Sequence, residues 1–237
     1  MLDPDKILDR RRIKRWLVIW RTVAVIGLVV IAALIASYFT DKSSLNNEYI
    51  ARLWINDIIL ENPIRDQELL NIAQNESVKA LIVRINSPGG SMAGSEALYL
   101  SLRKISKTKP VVAVLSGVAA SGGYLSALAT DRIFARKSTV TGSIGVILQT
   151  AEISEMLEHI GVSTEAVKSS PLKGTPSTLE TMNQKTRQAA QAVVDDMYIL
   201  FLNILIERRA LERAAATKLA DGRIFTGRQA LRNGLID

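Results

Sequence analysis

Residues 22–39 form an uncharged, mostly apolar run rich in Val, Ile, Leu and Ala, and behind it hydrophobic positions recur in shorter, regular patterns. As a helix, that run reaches roughly 27 Å at about 1.5 Å per residue, close to the roughly 30 Å of bilayer hydrocarbon. Trp16 to Trp20 extend it, with Arg21 free to snorkel. Trp16, Trp20, Tyr38 and Phe39 fall near its two ends, where interfacial aromatic residues are favoured. Past a polar stretch, Asp41 to Glu48, the pattern changes. Tyr49–Leu60 alternates loosely and predicts a strand, as do Ala80–Ile85, Pro110–Leu115, Asp131–Ala135, Ile144–Leu148 and Val162–Lys168. Leu98, Leu102 and Ile105 keep helical spacing within Met92–Lys107. Asp66–Asn75, Tyr124–Thr130, Ile153–Ile160 and Gln184–Arg208 also predict helices, and two short elements follow at Glu212–Leu219 and Arg228–Asn233. Strand and helix alternate over short connections, which predicts an α/β layered fold with a mostly parallel sheet. Sites in such sheets form beyond the carboxyl ends of strands.

Charge gives the apolar run a direction. Of the formal net charge of +7, about +4 lies before residue 22, where Lys6, Arg10, Arg11, Arg12, Lys14, Arg15 and Arg21 face only Asp3, Asp5 and Asp9. The positive-inside rule then places the N-terminus in the cytoplasm and the chain after Tyr38 outside it. A cleaved signal peptide is the rival reading, but the run is long for one and Leu34-Ile35-Ala36 is a weak cleavage site. The organisation expected is a cytoplasmic basic segment at 1–21, a transmembrane anchor at 22–39, a tether at 40–48 and one soluble domain at 49–237. Aromatic residues are sparse and do not alternate with the basic ones, so nucleic acid is not an expected partner.

Two glycine-rich turns follow predicted strands: Asn86-Ser87-Pro88-Gly89-Gly90 and Gly117-Val118-Ala119-Ala120-Ser121-Gly122-Gly123-Tyr124. The second puts the Ser121 hydroxyl between residues with almost no side chain, at the start of a helix whose free N–H groups favour developing negative charge. A plain helix-start residue is the alternative. With no cysteine and one histidine, thiol chemistry, disulfides and multi-histidine metal sites are excluded. The base for a Ser121 nucleophile is then His159, a carboxylate or a lysine. His159 itself reads as the last turn of a helix ended by Gly161, where a histidine ordinarily serves the helix terminus.

Ser87-Pro88-Gly89-Gly90, Ala120-Ser121-Gly122-Gly123-Tyr124, Thr141-Gly142-Ser143-Ile144-Gly145-Val146-Ile147 and Asp221-Gly222-Arg223-Ile224-Phe225-Thr226-Gly227-Arg228-Gln229-Ala230 stand in an order and spacing that resembles the signal peptide peptidase A family, membrane-anchored bacterial serine proteases. The likeness runs over about 49–237 and is to the short, single-repeat type. It implies a ClpP/crotonase-like fold and a Ser–Lys dyad without metal or cofactor. Carried onto this chain, it implies Ser121 as nucleophile, Lys173 as general base, Ser143 as the hydroxyl that positions the lysine, and the N–H groups of Gly90 and Gly122 as the oxyanion hole. Lys168 and Lys137 are the competing lysines. The family often has glycine where Ser170 stands and aspartate where Gly174 stands.

The resemblance also implies a homo-oligomer of eight protomers on the membrane, with serine and lysine of one site drawn from neighbouring protomers. Signal peptides and other apolar peptides are the implied substrates, and the bacterial inner membrane, with an extracytoplasmic catalytic domain, is the implied location. Relatives commonly continue past Asp237, so an assembly element at that end is expected to be short or missing. The readings set against this are a related anchored protease that cuts other membrane proteins, a crotonase-type acyl-CoA enzyme and a non-catalytic scaffold.

Overall fold

The structure, a computed structural model, describes residues 4–43 and 48–237, with side chains at 13–37 and 48–237. It divides the chain into two compact units, Met1–Glu48 and Tyr49–Asp237.

The first unit is one helix, α1 (Pro4–Ser43). Proline suits the first helical turn, where its missing N–H has no helical partner in any case. Within α1, Ile13–Ser37 is long and apolar enough to cross a membrane. The helix starts well before the expected anchor and runs past it, because no breaker interrupts the Lys/Arg/Leu-rich flank. Of the expected tether, 40–43 are helical and 44–47 lie outside the described residues. The Trp16 and Trp20 rings sit one turn apart, 6.2 Å between centroids. The side chains of Tyr38 and Phe39 lie outside those described.

The second unit runs β1 (Tyr49–Ile59), α2 (Pro63–Gln74), β2 (Val78–Gly90), α3 (Met92–Ser106), β3 (Val111–Ala120), α4 (Gly122–Ala127), β4 (Arg132–Ala135), β5 (Val140–Gly142), α5 (Ser154–His159), α6 (Gln184–Arg209), α7 (Arg213–Leu219), β6 (Ile224–Thr226) and α8 (Gly227–Arg232). The sheet order is β1-β2-β3-β5-β6, with β4 pairing β3 below β5. All pairings are parallel except β5 with β6. This is the mostly parallel α/β architecture that the alternating pattern predicts. One face is the core: Leu81, Val83 and Ile85 alternate inward on β2, and Val111, Ala113 and Leu115 on β3. Leu98, Leu102 and Ile105 of α3, Tyr124, Leu125 and Leu128 at α4, and Phe201 and Leu205 of α6 complete it.

The C-terminal residues are tied to this core. The fully buried Tyr124 hydroxyl donates to Leu235 O at 2.7 Å, and burial pushes its pKa far up. Asp237 accepts from Ile133 N (2.9 Å), Arg132 (2.9 Å) and Arg209 (3.1 Å). Burial pushes the Asp237 carboxyl up, but these hydrogen bonds and the Arg209 charge outweigh it and hold the group below the usual carboxylate range.

The structure departs from the predicted elements in three places. The two glycine turns are continuous with their strands: β2 runs through Gly90 and β3 through Ala120, because a parallel neighbour pairs that far. Ile144–Leu148 and Val162–Lys168 are not strands. Ile147 is 83% and Val167 98% exposed. A strand holds only where a neighbour completes its ladder, and among the described residues none pairs these segments. The third departure is the pair β5 and β6, three residues each where no strand is predicted, with β6 antiparallel to β5.

Candidate active site

The parallel sheet carries the ends of β2 and β3 to the same edge, with Ser87 opposite Ala119. Ser87 is fully buried and its hydroxyl donates to Asp57 O. That bond ties β2 to the bulge in β1 where Asp57 takes a φ of 59°. Gly89 and Gly90 follow, and Ser121 stands beside them at the end of β3. A Cβ on Gly89 would come within 2.9 Å of Ser121 Cβ and 3.0 Å of Gly122 N, so only glycine lets the two turns touch.

Ser121 is the N-cap residue of α4, at φ 50° and ψ −121°. Such a conformation costs a non-glycine residue on the order of 1–3 kcal/mol and collects at functional sites. Its hydroxyl makes no capping hydrogen bond. The usual structural reason for a serine here is therefore absent, and the strained backbone is fixed by other groups. Ser121 N donates to Gly142 O at 2.8 Å, and Leu125 N donates to Ser121 O at 2.9 Å. Gly122 is the first residue of α4, so its N–H has no partner within the helix. A Cβ on Gly122 would stand 3.2 Å from Gly90 N, which places the two glycine peptides side by side next to Ser121.

Gly142 continues directly into Ser143, another non-glycine residue at φ 50°. Ser143 N donates to Arg223 O (2.8 Å), and Gly222 N donates to Ile144 O (3.1 Å). The Asp221–Thr226 stretch thus fixes the segment that follows Ser121's own backbone partner. Ser121, Ser143, Gly90 and Gly122 line one cleft of about 930 Å3. Its walls include Met92, Val146, Val194, Met197, Tyr198 and Phe201.

Lys173 does not line that cleft. It lies in the turn at Ser170, where Lys173 N donates to Ser170 O at 3.1 Å, and its side chain is exposed. Lys168 pairs with Glu180 and Lys137 is exposed. His159 closes α5, with Nδ1 2.8 Å from Glu155 O, the helix-end role its position predicts. Among the described residues, no group of His, Cys, Asp and Glu side chains is placed to hold a metal ion. The sequence reading passes over the α6 side chains that wall the cleft and over Ser95, a buried hydroxyl on α3. The helical stripe Val194, Met197, Phe201 was legible only as a core face.

The model of peptidase family S49 matches residues 103–237 of this chain. The chain belongs to peptidase family S49, the signal peptide peptidase A family. A protease from Synechocystis sp. (strain ATCC 27184 / PCC 6803 / Kazusa) is 39% identical over 168 residues, which cover 71% of this chain and 61% of that protein. A signal peptide peptidase SppA from Enterococcus faecium is 33% identical over 212 residues, 84% of this chain and 62% of the relative. Protease 4 of Haemophilus influenzae is 35% identical over 164 residues, 69% of this chain and 26% of the relative. Matches to these S49 relatives thus span at most 62% of their length. The S49 match includes Ser121, Gly122, Ser143 and Lys173 and begins after Gly90.

Proposed function

We propose that this S49 chain is a membrane-anchored serine endopeptidase that degrades remnant signal peptides through a Ser–Lys dyad. The observation that carries the reading is Ser121: strained, uninvolved in capping, and facing an apolar-walled cleft beside the Gly90 and Gly122 peptides. In the reaction, Ser121 Oγ attacks the scissile carbonyl while the free amine of Lys173 takes its proton. The N–H groups of Gly90 and Gly122 receive the oxyanion; one such donor is worth about 2.7–4 kcal/mol in serine proteases. The resulting ammonium protonates the leaving amine. Lys173 then draws a proton from water, which attacks the acyl ester and frees Ser121. The Ser143 hydroxyl, at the cleft, orients the amine.

A lysine at its ordinary pKa of about 10.4 is a poor base at neutral pH and needs an apolar, partly dehydrated setting to work. The exposed turn at Lys173 offers no such setting within one chain. We infer that Lys173 of one copy enters the Ser121 cleft of the next, and that the homo-oligomer is the active species. The exposed apolar side chains on the same stretch, Ile147, Ile160, Val167 and Leu172, support this reading, since a second copy would cover them.

The apolar span in α1 anchors the chain, and its basic flank puts the N-terminus on the cytoplasmic side of the inner membrane with the catalytic domain outside. Cleaved signal peptides lie in that membrane, and their apolar segments match the cleft walls. Expected is hydrolysis of a detergent-solubilised signal peptide by the full-length oligomer, with kcat/KM falling roughly tenfold or more for each apolar residue near the cut replaced by a polar one. Equal rates on apolar and polar peptides, read by mass spectrometry of the products, would remove the substrate assignment.

A further inference from the structure

Ser95 lies on the first turn of α3, four residues after the N-cap Ser91, and is 0% exposed. Its Oγ has no hydrogen-bond partner among the described residues. Five of the other buried serine and threonine hydroxyls are paired. Ser87 donates to Asp57 O, Ser126 to Gly122 O, Thr130 to Ala127 O, Thr139 to Ser116 O and Thr141 to Ala119 O. A buried hydroxyl left unpaired is costlier than a methyl group of similar size, and alanine would fill this space without the penalty. Packing therefore does not account for a serine here.

Its position does. The point where a Gly122 Cβ would stand is 2.1 Å from Ser95 Oγ and 3.2 Å from Gly90 N. The hydroxyl thus sits against Gly122, on the side that faces Gly90 N, and Ser95 lines the same cleft as Ser121, Gly90 and Gly122. We propose that Ser95 is a third oxyanion donor, idle in the free protein and brought into use when the substrate carbonyl becomes tetrahedral. No bond is made or broken at Ser95; its O–H turns to the negative oxygen and turns away when the carbonyl re-forms. An interaction made only in the transition state raises kcat without tightening ground-state binding. The dehydrated surroundings of Ser95 strengthen such a contact.

The proposal rests on the serine-peptidase reading above, and one set of measurements separates the two. Wild type, Ser121→Ala and Ser95→Ala are compared as full-length oligomers for peptide hydrolysis, thermal melting and inhibition by a peptidyl boronate, which forms a tetrahedral adduct. For Ser95→Ala, kcat falls on the order of 100-fold and KM stays within about twofold. Boronate inhibition weakens by a similar factor. The melting temperature is unchanged or higher, because the variant removes an unpaired buried hydroxyl. A kcat within about threefold of wild type overturns the proposal, since a lost donor costs far more. A loss of activity that tracks a fall in melting temperature overturns it too, by making Ser95 structural. If Ser121→Ala keeps activity, the peptidase reading itself falls; if Ser121→Ala is dead and Ser95→Ala is not, only the Ser95 assignment falls.

Discussion

Ser121→Ala lowers peptide hydrolysis on the order of a millionfold and leaves the fold intact. The size of the loss follows from removing a nucleophile whose partners have no function without it, since such groups act as a unit. The intact fold follows from the geometry. An N-cap serine that accepts a hydrogen bond from its helix costs about 1 kcal/mol when changed to alanine, but the Ser121 hydroxyl makes no such bond. Alanine tolerates φ 50° no better and no worse than serine, so the backbone strain is unchanged. Activity assays and thermal melts on the same samples check both halves. A variant that loses about 1 kcal/mol of stability and keeps its activity would make Ser121 a cap and nothing more.

Lys173→Ala has the second-largest effect, a fall of about 10⁴-fold or more, as expected for loss of the general base. Lys173→Arg does not rescue it, because a guanidinium stays protonated throughout the working pH range. Peptide binding persists in both variants, since the apolar side chains that wall the cleft are unchanged. The contrary result is an Arg variant with substantial activity, which would reduce Lys173 to a positive charge that holds the peptide. Neither variant shifts the melting temperature of the single chain, because the side chain stands in solvent.

The central strands were legible because their inward positions are uniformly apolar, as Leu81, Val83 and Ile85 show. Helix α6 was legible from its period and ends within one residue of its predicted boundary. Ile144–Leu148 and Val162–Lys168 misled for a physical reason. Their apolar residues satisfy the local pattern of a strand, but that pattern carries no information about whether a neighbour lies within the same chain or in another. β6 was too short to leave a period. The glycine turns and Ser121 were readable because so few residues tolerate those close approaches. Ser95 was not, because a small polar residue near a helix start reads as filler until Gly122 is found against it. Lys173 could be matched to a motif, but within one chain its turn shows only the backbone bond to Ser170 O and an exposed side chain.

Co-assembly of Ser121→Ala with Lys173→Ala tests the shared site directly. Each variant alone is inactive. If serine and lysine of one site come from neighbouring copies in a head-to-tail ring, random mixing in equal amounts leaves about a quarter of the sites with both groups. Recovery of about a quarter of the parental peptidase activity in the mixed oligomer is the predicted result. A mixed oligomer of normal size as inactive as either variant alone would place both groups in one chain, or neither in the chemistry, and would contradict the account.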